Sequence, residues 1–286
     1  MLGITLALLS GATSGIAVVL VGRHSQESNA FNVSLLISFV GLVVIWPFAA
    51  MLTDFKGVNL AAILLFALGG ALTPGLVRLF YYAGLKRLGA SINSSIFSIY
   101  PLYSSLLAVL FLSELPSLEN WIGIVTLVIG VIFMEMSLRR ENGSNQSLRN
   151  WIFPILGGLT FGLGAILRKA ALNIYDAPIL GIAVAYSFSF LPYLAILASH
   201  APTRSHVSFR KDLRLFWAAG VGQVISWVLS FYALSLQTVS VVTPLLSIEP
   251  LFVAIFGYFF LKGQEHLSLR LAACIVVMVL GVILVT

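Results

Sequence analysis

Ser98-Ile99-Tyr100-Pro101-Leu102 lies deep in an apolar stretch, and the chain repeats it as Ser247-Ile248-Glu249-Pro250-Leu251. A proline inside an apolar run of helical length removes one backbone donor and disturbs the helix around it. The two segments, 149 residues apart, mark the same place in two copies of one unit. Working outward from each copy yields further matches in chain order. Tyr82-Ala83 pairs with Tyr232-Ala233, and Glu114, Ser117 and Leu118 pair with Glu265, Ser268 and Leu269. Gly11, Thr13 and Gly15 pair with Gly158, Thr160 and Gly162. Ile124-Val125 and Gly130-Val131-Ile132 pair with Ile275-Val276 and Gly281-Val282-Ile283. The offset stays between 147 and 151 throughout, which chance apolar similarity would not maintain. The sequence therefore predicts a duplication: residues 1–138, a polar linker at 139–150 (RRENGSNQSLRN from Arg139 to Asn150), and residues 151–286.

The medium in which this unit folds follows from composition. Of 286 residues, 59% are hydrophobic and 9% charged, with a mean hydropathy of +1.04. Ordinary soluble domains carry roughly 25% charged residues. The polar surface that a water-soluble fold needs is missing. Net charge is +6 and the pI about 9.6, but the basic residues sit in short clusters between apolar runs. That placement reads as orientation signals at a membrane surface rather than as a nucleic-acid site. The single cysteine, Cys274, lies in the last apolar run and reads as a packing residue. The first run starts at Leu2 without a basic region before it or a convincing cleavage site after it, so a retained helix is expected.

A hydrocarbon core about 30 Å thick takes about 20 apolar residues in a helix. Ten runs qualify, near 2–22, 31–52, 58–82, 90–112, 118–138, 151–172, 178–199, 214–236, 240–261 and 268–286. They are continuously apolar rather than alternating, which favours helices over a barrel. The predicted fold is an all-α polytopic membrane protein of ten transmembrane helices. Because five is odd, the second copy enters the bilayer from the opposite side, giving two inverted five-helix repeats around a central cavity. Such a molecule has two conformations related by exchanging the roles of its halves, which is the physical basis of alternating access.

The doubled pattern resembles the EamA-like members of the drug/metabolite transporter superfamily. The residues that carry the resemblance are Ser98-Ile99-Tyr100-Pro101-Leu102, Phe111-Leu112, Glu114, Trp121-Ile122-Gly123 and Gly130-Val131-Ile132. They recur as Ile248-Glu249-Pro250-Leu251, Phe259-Phe260-Leu261, Glu265 and Gly281-Val282-Ile283. The resemblance covers essentially the whole chain. It implies a cavity lined by helices one to four and six to nine, with five and ten at the periphery. It also implies transport of amino acids, other metabolites or drugs, often by proton-coupled export across the inner membrane of a cell.

Loop charge supplies the expected orientation. Odd-numbered connections hold Arg23, Lys86, Arg87, Arg139, Arg140, Arg149, Arg204, Arg210, Lys211, Arg214, Lys262 and Arg270, against Lys56, Arg168 and Lys169 in the even-numbered ones. The positive-inside rule then puts the odd loops in the cytoplasm and both termini outside.

Candidate binding residues are the polar groups inside apolar runs. Arg78 and Glu249 are ionisable groups at membrane depth, which usually face a cavity or a partner. For each, binding of substrate or proton stands against a structural ion pair, and for Arg78 also against snorkelling to the interface. Asn93, Phe97, Tyr100 and Ser104 share one helix face, chosen as the cavity face because Tyr100 is the register partner of Glu249, with plain helix–helix contact the other reading of such a stripe. Ser91, Ser94, Ser98 and Ser105 form a packing face. Gln223, Trp227 and Ser230 repeat at helical spacing in the eighth run, where a cavity face and a plain packing stripe are both open. Gly11, Gly15, Gly158 and Gly162 read as close-packing positions. Thr73-Pro74-Gly75 interrupts the third run one turn before Arg78. Arg168-Lys169 read either as an anion-attracting pair at the outer mouth or as the end of the sixth helix, and Glu114 and Glu265 as interface anchors.

No P-loop, zinc-ligand spacing, nucleophile elbow or paired-carboxylate arrangement is present in the sequence. No cofactor, metal or enzymatic activity is expected. The function read from the sequence is secondary transport of a small polar or amphipathic metabolite, with an amino acid or related compound first. The partners are the lipid bilayer, the small-molecule substrate and protons as a candidate coupling ion. The rivals are a non-transporting scaffold or regulatory subunit, which predicts no continuous polar cavity, and a flippase for an amphipathic lipid-linked molecule.

Overall fold

The computed structural model describes residues 1–24, 28, 30–55, 57–88, 93, 96–137, 148–199, 209–260 and 269–286. Most of the 139–150 linker and of the 200–213 loop, together with Lys56, Ser91, Ser94, Lys262 and Glu265, lie outside the described residues. Among those described there are helices and turns and no strand. A bilayer offers the backbone no water, so an apolar segment keeps its N–H and C=O groups satisfied by closing them on itself.

The elements are α1 (Leu2–Arg23), α2 (Ala30–Leu52), α3 (Leu60–Gly70), a π-helical segment (Ala71–Leu76), α4 (Val77–Leu88), α5 (Tyr100–Leu112) and α6 (Leu118–Ser137). After a short 3-10 turn (Leu148–Trp151) come α7 (Ile152–Ile174), α8 (Pro178–Ser199), α9 (Phe209–Leu236), α10 (Val239–Leu246), α11 (Glu249–Phe260) and α12 (Leu269–Val285). Seven spans among the described residues are long and apolar enough to cross a membrane, and Tyr100–Leu112, Leu118–Met134 and Ala273–Val285 are shorter apolar helices. Together they make ten crossings. The third is α3 through α4, and the ninth is α10 with α11.

Local chemistry sets the ends and the breaks. Asn59 caps α3, its Oδ1 accepting from the N–H groups of Ala61 at 2.9 Å and Ala62 at 3.3 Å, which satisfies donors with no partner inside the helix. Ser113, with φ +54°, ends α5 in the left-handed region. Thr73, just before Pro74, leaves helical geometry at φ −136° and ψ 113°, so the third crossing is broken where the sequence predicts. α9 is 28 residues long, about 42 Å at 1.5 Å per residue. That exceeds the hydrocarbon, and the excess carries Arg210, Lys211 and Arg214 at its start.

The packing is symmetric under exchange of the two halves. α1 lies on α9 as α7 lies on α3, and α2 touches α9 as α8 touches α3. α1 crosses α10 and α11 as α7 crosses α5. Two contacts map onto themselves, α2 with α8 and α6 with α12, and the fourth and ninth crossings meet where α5 touches α10. Glycines permit the closest approaches. A Cβ on Gly70 would come within 2.3 Å of the Ala185 backbone, and one on its counterpart Gly220 within 2.7 Å of Val40 Cβ. Lipid gives apolar side chains no reason to leave it, so helix association in a membrane rests on such small-residue contacts.

Candidate functional site

The two Ser-Ile-x-Pro-Leu segments fold alike. Ser98–Ile99 and Ser247–Ile248 are turns, after which α5 starts at Tyr100 and α11 at Glu249. Each helix carries its proline at the second position, where a missing N–H costs nothing inside the helix. The Leu102 N–H donates to Ile99 O at 3.0 Å, and the Leu251 N–H to Ile248 O at 2.9 Å. The fourth and ninth crossings are therefore interrupted within their apolar runs. The ninth, expected as one run over 240–261, is two helices.

α1 and α7 lie against these breaks by their glycines. A Cβ on Gly15 would sit 2.7 Å from Phe252 Cβ, and one on Gly162 would sit 3.1 Å from Ser104 N. Packing, the role expected for these glycines, is what brings the preceding residue of each helix onto the start of the broken helix. In one half, Ser14 Oγ donates to Glu249 Oε2 at 2.5 Å. In the other, the Phe161 ring lies 4.3 Å from the Tyr100 ring, centroid to centroid. Between the two junctions, Ser104 Oγ and Thr243 Oγ1 share a hydrogen bond of 2.6 Å where α5 crosses α10.

From Tyr100 an aromatic wall continues in two directions. Phe97 lies 5.5 Å from Tyr100 and 6.2 Å from Phe161, and Tyr81 packs edge-on to Phe97 at 5.2 Å. About two turns along α7 from Phe161 stands Arg168, 1% exposed. Its guanidinium carbon lies 4.6 Å from the Trp227 ring centroid and 5.7 Å from those of Phe161 and Phe231. Its Nε donates to Gly164 O at 3.0 Å. The Tyr100 hydroxyl is within electrostatic reach of both Glu249 and Arg168. A run of aromatic rings thus leads from the Tyr100 junction to a buried cation, and the other junction holds a half-buried carboxylate.

The residues expected from sequence fall into two groups. Tyr100 and Trp227 belong to this run of rings, Glu249 stands at the other junction, and Gln223 stands half-buried one turn before Trp227 on α9. Arg78 stands apart: its Nη1 donates to Ser38 Oγ at 3.2 Å and to Ser34 O at 3.4 Å on α2. It forms no ion pair with Glu249 in the structure. Asn93 is fully buried, its Nδ2 donating to Tyr81 O at 3.1 Å, so it ties the end of the third crossing to the start of the fourth. Ser14, Phe161 and the interior position of Arg168 are what sequence reasoning missed. α7 runs on to Ile174, so Arg168 neither ends a helix nor lies at a mouth. Lys169 turns away from it and donates to Leu234 O at 2.7 Å.

The end of the molecule that carries the even-numbered connections is crossed by hydrogen bonds. Glu114 Oε1 accepts from the Val239 N–H at 2.7 Å, and Oε2 from the N–H and Oγ of Ser240 at 3.0 and 2.7 Å. Glu114 is thus a cap for α10, more specific than the interface anchor expected. Tyr175 Oη donates to Asp54 O at 2.9 Å, and Asn120 Nδ2 to Val285 O at 2.9 Å. Among the described residues no cluster of His, Cys, Asp and Glu could hold a metal ion.

Comparison with known proteins gives the family and the fold. The profile of the EamA-like transporter family matches residues 1–136 and 150–286. An uncharacterized transporter of Archaeoglobus fulgidus is 27% identical over 282 residues, covering 97% of this chain and 94% of that protein. A chloroplastic WAT1-related protein of Arabidopsis thaliana is 26% identical over 208 residues, covering 70% of this chain; the match spans 49% of that protein, about half its length. A crystal structure 15% identical in sequence covers 100% of this chain and 95% of its own, with a TM-score of 0.76, and shares the fold.

Proposed function

We propose a mechanism from one premise: this chain belongs to the EamA-like transporter family. It is a multi-pass membrane transporter with a small-molecule substrate. The substrate is a small polar or amphipathic metabolite, an amino acid or related compound, carried by alternating access and coupled to protons. The observation that carries this reading is Glu249. Its carboxylate stands at a helix break near mid-membrane, held by one hydroxyl, Ser14 Oγ, and by no cation among the described residues. An ionisable group at that depth is costly to retain, and broken helices near the midplane are where such folds bind their cargo.

In this reading, residues 1–138 and 151–286 are two copies of one unit joined by 139–150. The odd connections face the cytoplasm of an inner membrane, and both termini lie outside. With Arg168 counted inside the membrane, Lys56 and Lys169 remain on the even side, which strengthens the charge bias. Glu249 takes up a proton or a substrate ammonium group in exchange for its bond to Ser14. Access from the even side requires breaking the Glu114 and Tyr175 contacts.

The test is counterflow of labelled amino acids into proteoliposomes holding the full chain, with a pH-sensitive dye inside. Glu249→Gln keeps the size and hydrogen bonding of the side chain and removes its charge change. It is expected to abolish proton-coupled transport while the protein stays folded and inserted. Wild-type rates with unchanged pH dependence would sink the claim. A scaffold would show no counterflow for any substrate.

A further inference from the structure

Arg168 is the largest of the side chains buried almost completely in this protein, and its surroundings do not complete its chemistry. Its hydrogen bond to Gly164 O uses Nε alone. No described residue accepts from the N–H groups of its two terminal nitrogens, and no described carboxylate forms an ion pair with it. Beside it, Trp227 Nε1 is buried and has no hydrogen-bond partner. Two donors of one sign of need, a guanidinium fork and an indole N–H, thus come from two helices, α7 and α9. Buried donors are normally satisfied. Rings on three sides hold a cation through their faces, but they accept no hydrogen bonds from the edge of the guanidinium plane.

We propose that Arg168 and Trp227 form a subsite for a carboxylate of the carried molecule, with Phe161 and Phe231 as the walls for its apolar body. A planar carboxylate matches the guanidinium fork through two parallel N–H···O bonds, and a free lone pair then meets the indole N–H. Charge selects a monoanion. The neighbouring cation, Lys169, is engaged at Leu234 O, so the subsite holds a single positive charge, and a phosphate dianion would leave an uncompensated negative charge inside the membrane. The Tyr100 hydroxyl is within electrostatic reach of both Arg168 and Glu249, so a molecule with a carboxylate at one end and an ammonium at the other meets a group of opposite charge at each.

This inference rests on the reading of the chain as a small-molecule carrier, but its test requires no transport. The full chain is purified in detergent, and binding of 3-phenylpropionate, 3-phenylpropionamide and phenylphosphonate is measured by calorimetry. None of the three carries an ammonium group, so Glu249 does not enter the comparison. The carboxylate is expected to bind about tenfold or more tighter than the amide, as hydrogen bonds to charged groups do relative to neutral ones. Arg168→Gln is expected to remove that preference, and Trp227→Phe, which keeps the ring and loses the N–H, to reduce it several-fold. Equal binding of acid and amide by the wild-type protein overturns the proposal even if Arg168→Gln does not fold. So does an unchanged preference in Trp227→Phe. Phosphonate binding as tight as the carboxylate overturns the assignment to a monoanion. A purely structural Arg168 predicts no preference at all.

Discussion

Ser14 on Glu249 and Phe161 on Tyr100 occupy equivalent places in the two halves, and they share a backbone and almost nothing else. In both, a glycine one residue on lets α1 or α7 reach the start of a broken helix, and a proline at the second helical position fixes the break. The glycines and prolines repeat; the side chains they bring together do not. One junction holds a hydrogen-bonded carboxylate, and the other an aromatic pair that leads to a buried arginine. Repeating the acid would place two carboxylates close to the pseudo-two-fold axis, where each raises the cost of charging the other. Matched residues in this chain therefore report architecture, and unmatched ones at matched positions report chemistry.

The comparison can be broken most severely by making the junctions alike. Ser14→Phe with Glu249→Tyr rebuilds the first junction on the pattern of the second. Transport in proteoliposomes is expected to fall to background while gel filtration still shows a folded monodisperse protein. Retained transport would mean that the difference between junctions is incidental. Ser14→Ala is a finer cut, leaving the carboxylate without its hydroxyl. A hydrogen bond to a charged group contributes about 1.5–3 kcal/mol, so uptake about tenfold slower is expected, and an unchanged rate would detach Ser14 from the site.

The peripheral pair α6 and α12 provides a contrast in which symmetry extends to the contacts themselves. A Cβ on Gly281 would lie 2.7 Å from Leu127 N, and one on Gly130 2.7 Å from Met278 Cγ. Backbone cannot retreat as a methionine side chain can. Gly281→Ala is expected to lower stability by about 1–3 kcal/mol, read from reversible unfolding in mixed micelles, and Gly130→Ala by less than about 1 kcal/mol. The reverse order would refute the packing account. The smallest effect expected is that of Tyr100→Phe. It keeps the ring contact with Phe161, and uptake is expected to stay within about twofold, since a single neutral hydroxyl contributes little net. A larger loss would move the phenol into the binding chemistry.

The parts of this molecule legible in the sequence were those set by local rules. Runs of apolar residues gave the crossings, Thr73-Pro74-Gly75 gave the break in the third, and Gly15 and Gly162 gave close contacts. Glu249 was legible because a carboxylate at that depth has few ordinary reasons to be there. What escaped was decided by packing across long separations. Ser14 reads as one more small residue in Ser-Gly-Ala-Thr-Ser-Gly, and its partner is 235 residues away. Arg168 reads as a helix end because charges usually stop a span, and its shielding rings on α9 arrive only through the fold. A signal was present: Ala170-Ala171-Leu172-Asn173-Ile174 keeps helical, mostly apolar character beyond it, so the helix had room to continue. The partners of Arg78 were not legible either, since the serines on α2 carry no charge that composition could flag.

The contact between α6 and α12 has a mechanical meaning as well. Gly130 meets Met278 and Val277, and Gly281 meets Leu127, so the contact is its own image when the halves trade places. An inward-facing and an outward-facing form related by that trade would share it unaltered. Every junction that is not self-mirrored, including α1 on α9 and α7 on α3, must change its partner's geometry in the same step. The outer pair then serves as a fixed bearing, and the work of switching sides falls on the eight inner crossings that turn against it.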